Sequence, residues 1–247
     1  MILRQYLHEE PVVAISYLLG CAGKGLGVVV DPVAEPRFYL EEARRLGLRI
    51  AYVVDTHVHA DHLSTGRALA EESNAPYVLW GGTPAGYGFL GVEDGDVLEV
   101  GNVRLTVWHT PGHTPEHLTL LVTDRTRGDE PWMILTGHFL MVGDMGRTEL
   151  ETEAEEGARA LYGSAKRLLA LPDYVEVYPG AYSGSVCGRG LSGKPVSTLG
   201  FERRHNQAFA LAASLDEAAF VAHMLKDIPP PPPNHKAVRA ANLGLGG

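Results

Sequence analysis

The segment at residues 56–62 carries four side chains that can bind a metal ion: His57, His59, Asp61 and His62. It follows directly on an apolar stretch that predicts a β-strand. Side chains of an extended chain alternate in direction, so the first three point the same way, and His62 adds a donor where the next element begins. Imidazole binds zinc, iron or nickel, and carboxylate suits harder ions. The spacing therefore predicts a transition-metal site at the end of a strand.

A second group of histidines lies at residues 109–117, after another predicted strand. The proline–glycine turn before His113 would present that imidazole to the same edge of the sheet. We expect His109 and His117 to lie near the metal or at the surface without binding it. The two groups together predict one site built from separate stretches of chain.

The first half of the sequence supplies strands that could position these loops. Short apolar segments alternate there with glycine and proline, which predicts strands near residues 12–19, 27–31, 50–54, 77–80, 97–100, 103–108, 118–122 and 132–135. Helices are predicted at 36–46 and 64–72. The second half is more helical, with one helix after a capping-box pattern at Thr152 and Glu155 and another over residues 199–211.

Five consecutive prolines at 229–233 divide the chain into a predicted domain, residues 1–228, and a proline-rich tail, residues 229–247. Such a run adopts polyproline II and cannot continue a helix. Two interpretations stay open: a stiff tail that lies on the domain, or a linker to a further domain.

The composition excludes several classes of protein. A net charge of −9 over 247 residues argues against nucleic acid as a partner, because binding phosphates needs a basic surface. The sequence has no apolar run of membrane-spanning length and no signal-peptide pattern, so we expect no membrane partner. Two cysteines make no disulfide scaffold, and we expect a cytoplasmic location.

Several motifs resemble the metallo-β-lactamase superfamily, and within it the branch of persulfide dioxygenases and glyoxalase II, in particular members with C-terminal rhodanese domains. The motifs are T-H-V-H-A-D-H at 56–62, T-P-G-H-T at 110–114, L-T-G-H at 135–138, V-G-D-M-G-R-T-E-L at 142–150, Y-P-G at 178–180, G-S-V-C-G-R at 184–189 and T-L-G-F-E-R-R at 198–204. The resemblance implies an α/β fold, a four-layer αββα sandwich with a metal site at one edge.

The sequence departs from the family pattern at two ligand positions. The resemblance assigns a first ion to His57, His59, His113 and residue 138, and a second ion to Asp61, His62, residue 138 and residue 181. Here His138 stands where an aspartate is usual, and Ala181 stands where a histidine is usual. Only Asp61 and His62 remain for the second ion, and an ion usually needs three protein ligands. We therefore expect one metal ion per chain.

The resemblance implies Fe(II) on His57, His113 and His138, in place of the two histidines and an aspartate of persulfide dioxygenases. We favour Fe(II) and the oxidation of glutathione persulfide to sulfite. Two alternatives stay open. Three imidazoles also suit Zn(II), which would favour a thioester hydrolase like glyoxalase II. The replacements also fit a degenerate member of the family that binds metal but catalyses weakly.

Four further side chains have expected roles near the substrate. Arg147 matches an arginine that lies by the carboxylate of the thiol substrate in relatives. Cys187 could carry or receive a sulfane sulfur, and the hydroxyl of Tyr182 could face the metal. Asp61, with a single ion present, could act as a general base or orient a histidine. The expected partner is a small thiol-derived substrate; a homodimer and a functional link to a rhodanese stay open.

Overall fold

Two six-stranded sheets lie face to face in the computed structural model, which describes residues 1–214 and 216–245. The first sheet has the order β1-β2-β3-β4-β5-β6. Its strands are β1 (Ile2–His8), β2 (Ala14–Cys21), β3 (Leu26–Val30), β4 (Arg49–Val54), β5 (Tyr77–Trp80) and β6 (Leu90–Val92). The strands from β3 to β6 run parallel to one another, whereas β1, β2 and β3 pair antiparallel.

The second sheet comes from the following part of the chain, and a short hairpin adjoins it. Its strands are β7 (Val97–Val100), β8 (Val103–His109), β9 (Leu118–Asp124), β10 (Met133–Gly137), β13 (Glu176–Pro179) and β14 (Ser197–Thr198). They are arranged in the order β14-β13-β10-β9-β8-β7. The hairpin consists of β11 (Leu140–Met141) and β12 (Asp144–Met145).

Helices cover the outer faces of both sheets. They are α1 (Pro36–Arg45), α2 (Gly66–Ser73), α3 (Ala154–Leu168), α4 (Leu199–His205), α5 (Gln207–Ala213), α6 (Glu217–Met224) and α7 (His235–Asn242). The first two pack on the first sheet, and α3 to α6 pack on the second. Within the described ranges, no helix combines the length and the apolar character that a membrane span requires.

Alternation along β2 shows how the four layers are held together. Tyr17 and Leu19 enter the core between the sheets, and Leu18 packs with Tyr39 of α1 and Leu69 of α2 on the other side. Every residue of β2 is buried, because a strand covered on both faces exposes neither set of side chains. The predicted α/β fold, an αββα sandwich, is confirmed.

Two features differ from the sequence-based expectations. The helix expected over residues 199–211 is divided at Asn206, whose side chain accepts a hydrogen bond from the Phe209 amide and caps a new helix. The proline-rich tail contains α7, which the sequence did not predict. Residues 246 and 247 of that tail lie outside the described part of the chain.

Candidate metal centre

Four loops bring the predicted metal-binding residues and Cys187 to one edge of the sandwich. The segment 56–62 follows β4, and His113 lies in the loop after β8. His138 follows β10 directly, and Cys187 lies in the loop after β13. Since β9 is antiparallel to both β8 and β10, and β10 is parallel to β13, the last three loops leave the second sheet in the same direction.

His57, His113 and His138 form a cluster, called here the three-histidine cluster. One ring nitrogen from each lies within 4.8 Å of the other two. The ring of His57 is centred 5.0 Å from that of His113 and 4.8 Å from that of His138. No side chain of the three is more than 4% exposed. Three separate stretches of chain therefore converge on one small volume.

Hydrogen bonds on the far side of two rings determine which nitrogen is free to bind a metal. Thr56 Oγ1 donates its proton to Asp31 Oδ2, at 2.9 Å, so it can only accept from His57 Nδ1, at 3.0 Å. His113 Nδ1 donates to the carbonyl oxygen of Arg147 at 2.8 Å. The Nε2 atoms of both rings therefore carry lone pairs, as in histidines that bind metals through an oriented tautomer.

Unsatisfied buried nitrogens mark the space between the rings. His57 Nε2 and both ring nitrogens of His138 are buried without a hydrogen-bond partner among the described residues. Burying such groups unpaired costs roughly 1–3 kcal/mol each. A metal ion bound to these nitrogens would remove that cost, so the donor set fits a transition metal.

Burial keeps the three rings neutral. Together with the neighbouring His138, it lowers the pKa of His113 to about 3, and burial lowers the pKa of His138 to about 4. Burial and then the charge of His59 hold the pKa of His57 well below its usual range. Neutral imidazole is the form that binds metals, so no proton needs to leave these rings at pH 7.

His59, Asp61 and His62 form a second group of metal-competent atoms within 4.8 Å of one another. Asp61 Oδ1 accepts from His62 Nδ1 at 2.9 Å. Burial would lower the pKa of His59, but the carboxylates of Asp31, Asp55 and Asp61 raise it to about 9. The sequence placed His59 on the same ion as His57. The structure groups its ligand atoms with Asp61 and His62 and also with Asp31 and Asp55, and its ring is centred 4.2 Å from that of His57.

Two glycines allow the loops to approach each other closely. Gly137 has a φ of 48°, and a Cβ there would collide with Thr56 Oγ1 and would lie 2.7 Å from His117 Nε2. A Cβ on Gly146 would collide with the carbonyl oxygen of His138 and approach His113 Nδ1 to 3.0 Å. Neither position has room for a side chain. This steric limit explains the glycine at 137 in the motif L-T-G-H and the glycine at 146 in the motif V-G-D-M-G-R-T-E-L.

The guanidinium of Arg147 is engaged by contacts within the chain. Its side chain is buried, and its donors bind Glu149 and the carbonyl oxygens of Val186, Pro229 and Pro230. A guanidinium has five N–H groups, and these contacts engage all of them. The substrate-binding role of Arg147 stays a prediction, and in this structure its guanidinium is occupied by acceptors of the chain itself. The arginine instead fastens the proline-rich segment to the loops of the site.

The other two predicted substrate-binding residues, Tyr182 and Cys187, contact different parts of the chain. Tyr182 donates from its hydroxyl to the carbonyl oxygen of His8 at 3.1 Å. Cys187 is buried, with Sγ 3.8 Å from Asp61 Oδ2. Burial and the Asp61 charge raise the pKa of the Cys187 thiol well above its usual range. Cys187 thus lies beside Asp61, and the hydroxyl of Tyr182 is engaged by the backbone of His8.

His117 and His109 also flank the site. His117 is buried and stacks on His57 with ring centres 5.1 Å apart, and His109 stacks on Trp80 at 3.9 Å. His117 contributes no atom to the metal-competent groups found among the described residues, and neither does His109.

Sequence reasoning missed the C-terminal helix as part of the site. Arg239 binds both carboxylate oxygens of the buried Glu116, at 2.8 and 3.0 Å, and donates to the carbonyl oxygen of Val58. Asn242 donates to the carbonyl oxygens of His59 and His62. Helix α7 thereby holds the backbone of the segment 56–62. The only signal in the sequence was the position of Glu116 between His113 and His117.

Comparisons with known proteins agree with this geometry. The family model of the metallo-beta-lactamase superfamily matches residues 11–79. Human mitochondrial persulfide dioxygenase ETHE1 is 32% identical over 217 residues, covering 85% of this chain and 77% of that protein. A hydroxyacylglutathione hydrolase of Polaromonas is 33% identical over 170 residues, covering 67% and 60%. The crystal structure of ETHE1 from Myxococcus xanthus superposes with a TM-score of 0.84 at 31% identity and covers all of both chains. The chain belongs to the metallo-β-lactamase superfamily.

Proposed function

We propose that this protein is a metal-dependent enzyme that oxidises the persulfide of a small thiol such as glutathione. The observation that carries the proposal is the convergence of three neutral, buried imidazoles with unpartnered nitrogens. The similarity to human persulfide dioxygenase, over 85% of the chain, supports the choice of reaction. In that reaction a persulfide, O₂ and water give a free thiol, sulfite and two protons.

His57, His113 and His138 would hold the ion, with Fe(II) favoured. Bound there, Fe(II) would supply oxygen activation and an open position for sulfur. Three neutral ligands would leave the full 2+ charge on a bound ion, which would attract an anionic persulfide. Thr56 and the Arg147 carbonyl fix the orientation of two of the rings. This protein thus differs from the family pattern by offering no carboxylate at residue 138.

Asp61 is suited to orienting His62 rather than to accepting a proton from substrate. Burial would raise the pKa of this carboxyl, but the charge of His62 and a hydrogen bond from its Nδ1 hold it well below the usual range. A carboxylate with so low a pKa is a weak base. It stays ionised and adds a negative charge beside the ion.

The burial of the ligands favours a substrate with a narrow reacting group. His57 and His138 are each 1% exposed, and His113 is 4% exposed. A persulfide ends in a single sulfur atom, whereas the carbonyl carbon of a thioester carries a substituent on either side. The terminal sulfur of a persulfide can therefore reach these ligands through a narrower opening than the carbonyl carbon of a thioester would need.

Hydrolysis of a thioester is the second candidate function. The similarity to a hydroxyacylglutathione hydrolase over 67% of the chain supports it. Three imidazoles on Zn(II) would supply an activated water near neutral pH. The two functions differ in their need for oxygen.

Two assays on protein loaded with Fe(II) or Zn(II) separate the candidates. Oxygen consumption and sulfite release with glutathione persulfide are expected for the first function. Turnover of S-lactoylglutathione without oxygen would replace it with the second. If neither assay shows turnover while metal is bound, the protein binds metal without either activity, and the proposal fails.

Two variants provide the controls. His57→Ala removes one of three ligands and is expected to abolish metal retention and turnover together. His109→Ala alters a histidine at the end of β8 that stacks on Trp80, outside the cluster, and should retain both.

A further inference from the structure

Residues 227–234, called here the proline strap, connect α6 to α7 across the loops of the metal centre. Proline has no backbone N–H, so this run can be held only by packing or through its carbonyl oxygens. Arg147 donates to two of these oxygens, from Nη2 to Pro229 at 2.7 Å and from Nη1 to Pro230 at 3.1 Å. Nη1 also donates to the carbonyl oxygen of Val186, beside Cys187. One buried side chain therefore fastens the strap to the loop that carries Cys187.

The two ends of the strap have a left-handed backbone. Asp227 has a φ of 52° and Asn234 a φ of 59°. This conformation is uncommon for residues other than glycine and costs free energy, although aspartate and asparagine adopt it more readily than most. Between these two positions five prolines form a stiff rod. A rod between two residues that can change their dihedral angles is able to move as one unit.

A molecule that reacts at the three-histidine cluster needs a route to it. No ring of the cluster is more than 4% exposed, and the strap is bonded to the loops around it through Arg147. The strap packs on the protein at the buried Pro232, whereas Pro231 and Pro233 face solvent. Helix α7 has its own attachment through Arg239. The strap can therefore lift without loss of the contacts that hold the segment 56–62.

We infer that the proline strap is a lid on the metal centre, latched by Arg147 and hinged at Asp227 and Asn234. Opening breaks the two hydrogen bonds from Arg147 to the strap and uncovers the approach to the three-histidine cluster. It also frees the loop of Cys187, because the carbonyl oxygen of Val186 shares the same latch. The inference rests on the proposed function only for the molecule that the lid admits, a small persulfide.

The two cysteines can report this motion, because both are free and buried. Cys187 is 3% exposed and Cys21 is 6% exposed. Burial and the charge of Asp61 also raise the pKa of the Cys187 thiol, which slows its reaction with thiol reagents. A rigid structure therefore predicts that Cys187 reacts no faster than Cys21. A lid that opens predicts the reverse order.

The full chain, as purified and reduced, is treated with methyl methanethiosulfonate, a small neutral reagent that transfers a methylthio group to a thiol. Mass spectrometry follows the labelling of each cysteine over time. We expect Cys187 to be labelled at least about tenfold faster than Cys21, because local opening needs less free energy than the unfolding that frees a cysteine between the two sheets. Equal rates, or faster labelling of Cys21, would overturn the inference.

Arg147→Met removes the latch and should raise the labelling rate of Cys187 at least about tenfold, because hydrogen bonds from a charged donor are lost. Arg203→Met is the matched control. Arg203 also donates to two backbone carbonyls, but these precede β13, at the end of that strand away from the metal centre. This control should leave the Cys187 rate unchanged. The Cys21 rate in each variant shows whether the whole fold has been weakened.

A second variant leaves the latch residue in place and alters only the lid. Replacing Pro229 and Pro230 by glycine keeps their carbonyl oxygens but removes the stiffness of the rod, and should raise the Cys187 rate about 2–5-fold per replaced residue. Pro131→Gly changes a proline before β10, at the end away from the metal centre, and should not.

If the variant with two glycines labels Cys187 at the wild-type rate, or Arg147→Met has no effect, the strap is a fixed part of the fold and the inference fails. Acceleration by Arg147→Met alone would show that this arginine holds only the loop of Cys187, which also contradicts a lid. These measurements use neither a persulfide nor oxygen, so their failure is distinct from failure of the proposed function.

Discussion

Replacing Arg239 by methionine tests whether helix α7 is a structural part of the metal centre. Arg239 is 8% exposed. The change keeps an apolar stem and removes the guanidinium, which binds the carboxylate of Glu116. Glu116 is 4% exposed and would retain the Val58 amide as a donor. The variant therefore leaves the Glu116 carboxylate with the Val58 amide as its donor, and it also removes the ion pair of Arg239 with Glu151.

The size of the effect follows from that burial. Removing one partner of a buried ion pair costs about 3–5 kcal/mol. For a chain of this size, 1 kcal/mol corresponds to about 2–4 °C in Tm, so we expect a decrease of about 6–20 °C. Thermal unfolding followed by circular dichroism measures it.

Two further variants make this result specific to the buried pair. Arg37→Ala breaks an exposed pair with Glu41, in which the side chains are 85% and 54% exposed, and should leave Tm almost unchanged because solvent screens the pair. The double variant Arg239→Met, Glu116→Gln removes the stranded charge and should recover part of the lost stability. If Arg239→Met lowers Tm no more than Arg37→Ala does, or the double variant recovers nothing, the pair does not hold α7 in place.

Three other predictions concern the same region. Burial would raise the pKa of Glu116, but hydrogen bonds from Arg239 and its charge hold it below the usual value. The pair therefore stabilises the fold above the pKa of an unfolded glutamate and loses this effect as pH falls, so the Tm difference between wild type and Arg239→Met should shrink below about pH 4. Asn242→Ala removes donors to two backbone carbonyls of the segment 56–62 and should weaken metal binding by about 10–100-fold, measured by competition with a chelator; unchanged affinity would show that the segment holds its own shape. His138→Asp restores the carboxylate usual in the family and should change the ratio of Fe(II) to Zn(II) affinity, measured by metal analysis after equal exposure to both; an unchanged ratio would mean that residue 138 does not bind the ion.

The sequence predicted the fold and the convergence of the histidines because both depend on local patterns. Apolar segments bounded by glycine and proline predicted most strands, and the histidines stand immediately after β4 and β10 or close behind β8. Strand ends that leave a sheet on one side must meet there, so His57, His113 and His138 could be brought together from spacing and family resemblance alone.

Contacts between distant parts of the chain could not be predicted in this way. Arg147 has a suitable charge and position for a substrate carboxylate, but its donors are occupied by carbonyl oxygens more than 80 positions further along the chain. The proximity of Cys187 to Asp61, 126 positions apart, follows from the path of a glycine-rich loop. Patterns of residue type contain no information on such pairings.

The attachment of α7 has a consequence for the order of folding. Asn242 reaches carbonyl oxygens 180 and 183 positions earlier in the chain, and Arg239 reaches Glu116 across 123 positions. Closing loops of this length is entropically costly and slow relative to the pairing of neighbouring strands. During synthesis the histidine-bearing loops leave the ribosome long before the helix that secures them. We therefore expect the edge that carries the histidines to form before α7 docks on it, and to be held firmly only once this helix is in place.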